Sequence, residues 1–131
     1  MPYLRIRLAT PQTTVTTQQV ATMMTKLAVT TLKKNEAAVA VDVQFQEPEN
    51  WFIGGQAVSE RQETAFYAEI KITAGTNTRD QKAAFVHETF AGMQQLFGHV
   101  ASTSYVVLHD VSSDAWGYGG LTQEHRYITG V

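Results

Sequence analysis

The chain contains no cysteine, which removes thiol catalysis, disulfides and thiolate metal sites from consideration. It has no excess of basic charge: 10 Lys and Arg stand against 12 Asp and Glu, and the sequence pI is about 6.0. No overall basic field exists to hold a polyanion, so nucleic-acid binding is not expected. There is no apolar run of 18 or more residues to span a bilayer. The opening residues MPYLRIRLATPQ lack the apolar segment and small-residue cleavage site of a secretory leader, so a cytoplasmic protein without membrane contact is expected. The four histidines, His87, His99, His109 and His125, show no HxxxH or H-x-x-E-H spacing, and no metal is expected. Gly117, Gly119 and Gly120 do not form a G-x-G-x-x-G or P-loop pattern, and Ser112-Ser113-Asp114 is not a nucleophile elbow.

What is present fits one domain over residues 1–131, with 44% apolar residues to build a core. An internal repeat organises it. Leu4-Arg5-Ile6-Arg7 returns as Ile70-Lys71-Ile72-Thr73 at an offset of 66, and Trp51-Phe52-Ile53-Gly54-Gly55 as Trp116-Gly117-Tyr118-Gly119-Gly120 at 65. The repeats run over about 2–58 and 66–124. Within the first, Pro2 to Leu8 alternates as a strand, with Leu4, Ile6 and Leu8 on one face and Tyr3, Arg5 and Arg7 on the other. Thr16 and Gln19 form a capping-box pattern, and Val20, Met23, Met24, Leu27 and Thr31 recur at helical spacing over about 17–33. Ala38 to Phe45 reads as a strand stopped at Glu47-Pro48-Glu49-Asn50.

The second half follows the same grammar. Phe66 to Thr73 is a strand, Thr78 with Gln81 is a second capping box, and Val86, Phe90, Met93 and Phe97 make a stripe closed by Gly98. Thr103 to Asp110 is the last long strand. The order β-α-β-β-α-β predicts an α+β fold, a four-stranded mixed sheet with two helices on one face. The other face, carrying Tyr3, Arg5, Arg7 and Lys71 among apolar neighbours, calls for an oligomer to cover it. A ferredoxin-like dimer has the same element order and stays open as an alternative.

Pro2 is the sharpest chemical feature. Removal of Met1 would leave a secondary amine at the start of a strand. An α-amino group titrates near ~7.7–8.0, and an apolar pocket lowers that value, which yields a neutral base at physiological pH.

A proline-initiated strand, a helix, a second strand and a Gly-Gly hairpin, all duplicated, resemble the tautomerase superfamily. That superfamily includes 4-oxalocrotonate tautomerase, macrophage migration inhibitory factor, malonate semialdehyde decarboxylase and cis-3-chloroacrylic acid dehalogenase. Val43-Gln44-Phe45-Gln46-Glu47 with Phe52-Ile53-Gly54-Gly55 is similar to the dehalogenase branch. Asp114-Ala115-Trp116-Gly117-Tyr118-Gly119 with Tyr127-Ile128-Thr129-Gly130 is similar to the decarboxylase branch. The resemblance implies Pro2 as catalytic base, Trp116 as a pocket wall, Lys34 as a pocket cation just past the first helix, no cofactor, and a homotrimer. The arginine pair that those two branches place before the second helix is missing, since Ala74-Gly75-Thr76-Asn77-Thr78 stands there. Arg79, in the first turn of the helix, is the substitute considered for holding a substrate carboxylate. Arg61 and Arg126 lie in segments that could reach a neighbouring pocket. The expected activity is keto–enol tautomerisation of a small 2-oxo acid. A binding protein that keeps the fold without catalysis, or a decarboxylase or dehalogenase, is the alternative.

Overall fold

A computed structural model describes residues 2–130. In chain order it comprises β1 (Tyr3–Ala9), α1 (Thr17–Leu32), β2 (Ala40–Phe45), β3 (Phe52–Ile53), β4 (Gln56–Ala57) and α2 (Val58–Arg61). There follow β5 (Ala65–Thr73), α3 (Arg79–Phe97), β6 (Tyr105–Val111), β7 (Gly117–Tyr118), β8 (Leu121–Thr122) and α4 (Gln123–Thr129). The element order of the first half thus recurs in the second. β1, β2, β5 and β6 form one mixed sheet in the order β2-β1-β5-β6, antiparallel at the central β1–β5 pair and parallel at both flanks.

Local chemistry sets the helix ends. Thr16 accepts from the Gln19 backbone while the Gln19 side chain accepts from Thr16 N–H, and Thr78 with Gln81 does the same for α3, so two free N–H groups are satisfied at each start. α1 stops at Lys33 in the left-handed conformation (φ 59°), and α3 stops at Gly98 (φ 82°). The alternating residues Leu4, Ile6 and Leu8 of β1 and Phe66, Ala68, Ile70 and Ile72 of β5 are fully buried. They meet Val20, Met24 and Leu32 of α1 and Phe85, Met93 and Phe97 of α3. Each large side chain so buried contributes about 1.5–3 kcal/mol before entropy is counted.

The α3 stripe differs from the expected one. Phe85, Thr89, Met93 and Phe97 are the buried positions, Phe90 packs at their flank, and Val86 is 40% exposed. A strict four-residue step from Phe97 faces the sheet, whereas Val86 sits about 100° round the helix. Gly92 lets α1 approach: a Cβ there would lie 2.3 Å from Met23 Sδ. β2 starts at Ala40 because Asn35 caps a single helical turn, Glu36–Ala38, ahead of it. The sheet face away from the helices carries Tyr3, Arg5, Arg7, Glu69, Lys71, Tyr105 and His109, and there Arg5 sits opposite both Asp42 and Glu69. Among the described residues no helix is long and apolar enough to cross a membrane.

Candidate active site

Each half ends in a hairpin whose Gly-Gly turn has positive φ at both residues, 59° and 79° at Gly54 and Gly55, and 62° and 83° at Gly119 and Gly120. Each hairpin is also pinned by the carbonyl of its leading tryptophan, which accepts from Val58 N–H (2.8 Å) at Trp51 and from Gln123 N–H (3.0 Å) at Trp116. The second hairpin brings Trp116, Gly117 and Tyr118 alongside Pro2, Tyr3 and Val39, and together they line a cleft of about 400 Å³. Gly117 is required for its shape, because a Cβ there would meet the Leu121 carbonyl oxygen at 2.0 Å.

Pro2 is buried, and its carbonyl accepts a hydrogen bond from Ala40 N–H at 3.2 Å, so the residue just ahead of β1 is tied to the start of β2. Met1 lies outside the described residues. Trp116 donates its indole N–H to Thr73 Oγ1 at 3.1 Å. Thr76 Oγ1 donates to the Thr73 carbonyl at 2.6 Å and accepts from Lys34 Nζ at 3.1 Å. Asn77 Nδ2 donates to the Leu32 carbonyl at 2.9 Å, which ties the same segment to the end of α1. Residues 73–78 therefore form a short polar scaffold between Lys34 and Trp116. The left-handed Lys33 turns the chain so that Lys34 N–H reaches the Ala28 carbonyl at 3.2 Å. Burial lowers the Lys34 pKa below the ordinary lysine value, with Asp110 acting weakly in the other direction.

Of the four sequence-predicted residues, Pro2 and Trp116 share the cleft and Lys34 reaches its supporting scaffold. Arg79 does not join them. It is exposed on the first turn of α3, outside the cleft lining, and the Thr78–Gln81 capping box occupies N–H groups that an anion would have used. One cleft residue escaped sequence reasoning, and Arg126 was read from the sequence only as able to reach a neighbouring pocket. Tyr118 forms part of the cleft wall, and Arg126 of α4 holds it, with Nη2 donating to the Tyr118 carbonyl at 2.8 Å and the guanidinium 4.0 Å from the ring centroid. The available signal was the eight-residue spacing across a hairpin, which carries no periodicity. Tyr3, also in the lining, donates to Asp42 Oδ2 at 2.9 Å, and that hydrogen bond, with some desolvation, raises its pKa. The phenol is therefore neutral and engaged near pH 7. Among the described residues no group of three His, Asp or Glu side chains could hold a metal ion.

A family model described as tautomerase enzyme matches residues 67–126. A curated relative, "Probable tautomerase K2" of Dickeya dadantii (strain 3937), is 38% identical over 66 residues, which is 50% of this chain and 98% of the relative. The chain belongs to the tautomerase family. The tautomerase fold is seen directly in solved structures. A fused 4-OT, solved as a symmetric trimer, superposes with a TM-score of 0.80 at 17% identity, covering 94% of this chain and 97% of that one. A macrophage migration inhibitory factor homologue from Prochlorococcus marinus gives 0.72 at 22% identity, covering 92% and 97%. The segment matched by the tautomerase model contains Trp116, Tyr118 and Arg126, whereas Pro2 and Lys34 come from the other half of this tautomerase chain. The cleft is thus assembled across the β1–β5 junction.

Proposed function

We propose that the protein is a cytoplasmic keto–enol tautomerase for a small 2-oxo acid, and that Pro2, freed by removal of Met1, is its general base. The observation that carries this reading is the buried Pro2 in one cleft with Trp116, backed by the half-buried Lys34. In the step, the neutral Pro2 nitrogen takes a proton from the carbon next to the ketone, and the electron pair moves onto the carbonyl oxygen. Return of a proton completes the isomerisation, and no redox partner enters. Lys34 exchanges its Thr76 hydrogen bond for the substrate carboxylate, Trp116 supplies the apolar wall, and Arg79 is the alternative cation. Desolvation in the cleft keeps the amine neutral.

The halves at about 2–58 and 66–124 are, on this reading, tandem units of one domain. A homotrimer would cover the sheet face that carries Tyr3, Arg5 and Arg7, in keeping with the trimeric fused 4-OT of the same fold. One observation favours a second reading, a binding protein without turnover: residues 74–78 carry no cation. Intact mass and enolisation of phenylpyruvate decide between them. Loss of Met1 together with turnover that disappears in Pro2→Ala supports the proline mechanism. Retained Met1, or undiminished turnover in Pro2→Ala, sinks it.

A further inference from the structure

The end of α1, the start of α3 and the last residues of β6 converge, and each brings one charged group to the meeting point: Lys34, Lys82 and Asp110. Two bonds draw these elements together. Asn77 Nδ2 donates to the Leu32 carbonyl at 2.9 Å, and Ala74 N–H donates to the Val111 carbonyl at 2.8 Å. Asp110 stands opposite Ile72 in the parallel β5–β6 register, and Ile72 is fully buried in the core beneath the helices, so Asp110 lies on the helix side of the sheet. The homotrimer proposed above covers the other face.

Asp110 has two lysines within reach of its charge and takes one of them. Its Oδ2 accepts from Lys82 Nζ at 2.6 Å, whereas Lys34 Nζ donates to the neutral Thr76 hydroxyl at 3.1 Å. Asp110 acts on Lys34 only through space, where it favours the charged form against burial. The choice matters because a carboxylate is what Lys34 has to bind. A charge-assisted hydrogen bond is about twice as strong as a neutral one, so an incoming carboxylate displaces a hydroxyl far more readily than it displaces a resident carboxylate. Lys82 is well placed to hold Asp110, since its backbone N–H donates to the Thr78 carbonyl at 3.1 Å in the first turn of α3, which the Thr78–Gln81 box caps. We propose that Lys82 is a positioning residue of the carboxylate site: it keeps Asp110 on α3, and Lys34 stays open to the substrate. The proposal rests on the reading of Lys34 as the substrate cation and deepens it by naming what spares that cation an internal rival.

The probe is 3-phenylpropionate, a monocarboxylate with no 2-oxo group to enolise, titrated into the full-length protein by calorimetry. Lys82→Gln releases Asp110 to Lys34 and should weaken binding about three- to fivefold, the scale of one exposed ion pair. KM for phenylpyruvate should rise by the same factor at constant kcat, and Lys82→Arg, which still holds Asp110, should bind as wild type does. The deciding variant combines Lys82→Gln with Asp110→Asn. Wild-type affinity should return there, because the rival carboxylate is gone. Binding that stays weak in the double variant overturns the proposal, since Lys82 would then act on the ligand directly. Unchanged affinity in Lys82→Gln, with Lys34→Gln still weakened, overturns the proposal alone and leaves Lys34 as the substrate cation. Unchanged affinity in Lys34→Gln removes both.

Discussion

Replacing Thr73 by valine keeps the shape of the side chain while deleting the oxygen that receives the Trp116 indole N–H at 3.1 Å. Thr73 is 3% exposed, so no water reaches the vacated position from its side, whereas Trp116 is half-buried and recovers part of its solvation. A buried donor left unsatisfied costs about 1–3 kcal/mol, and the partial exposure of the indole places this case near the lower end, about 1–1.5 kcal/mol. Urea unfolding at one fixed protein concentration reads that difference in the midpoint while the slope stays constant. Trp116→Phe removes the donor itself, so in that background Thr73→Val should cost under about 0.5 kcal/mol, leaving a coupling of about 1 kcal/mol. Turnover should fall in Thr73→Val, because the cleft wall loses its anchor. If Thr73→Val costs the same with and without Trp116, the hydrogen bond contributes nothing and the scaffold argument is refuted.

Other outcomes follow from the same geometry. Pro2→Ala, with Met1 shown by mass to be absent, should lower kcat/KM by about 10²–10⁴ with an unchanged circular dichroism spectrum. Lys34→Gln should raise KM more than it lowers kcat, and Lys34→Arg should restore part of the loss. Because burial lowers the Lys34 pKa, its charge is lost before the ordinary 10.5 as pH rises, and wild-type KM should climb in that window while Lys34→Gln stays flat. The stability effect has the opposite sense. The folded state binds fewer protons at Lys34 than the unfolded chain, so stability from this group increases as pH rises through the folded pKa, and Lys34→Gln should flatten that slope. Gly117→Ala should abolish turnover while melting still shows a cooperative transition, since its Cβ would strike the Leu121 carbonyl but the main core lies elsewhere.

Much of this architecture was legible because its signals are local. Thr16 with Gln19 and Thr78 with Gln81 announce helix starts through side chains that satisfy N–H groups three residues away. Leu4, Ile6 and Leu8 announce a half-buried strand through period two. The short helices α2 and α4 gave no comparable signal, since a few residues after a Gly-Gly hairpin cannot display a helical period. Pro2 stood out by its chain position and Trp116 through the resemblance to the decarboxylase branch, and the structure puts both beside one cleft. Their supports, Thr73, Thr76 and Asn77, were not legible, because each contact joins residues more than 40 positions apart, Thr76 to Lys34, Asn77 to Leu32 and Thr73 to Trp116. Arg79 stands outside the cleft lining for a local reason: it lies on the exposed first turn of α3, directly after the Thr78 cap.

The β1–β5 pair joins the two halves within one molecule, through the covalent passage over residues 58–64. Its formation is therefore first order in protein, with the tethered partner held at an effective concentration on the order of millimolar or above. Contacts between separate chains carry no such tether and weaken with dilution. The cleft takes its proline from one half and its tryptophan from the other, and both walls travel together in one chain. Progressive dilution should therefore strip away whatever a neighbouring chain adds long before it parts Pro2 from Trp116.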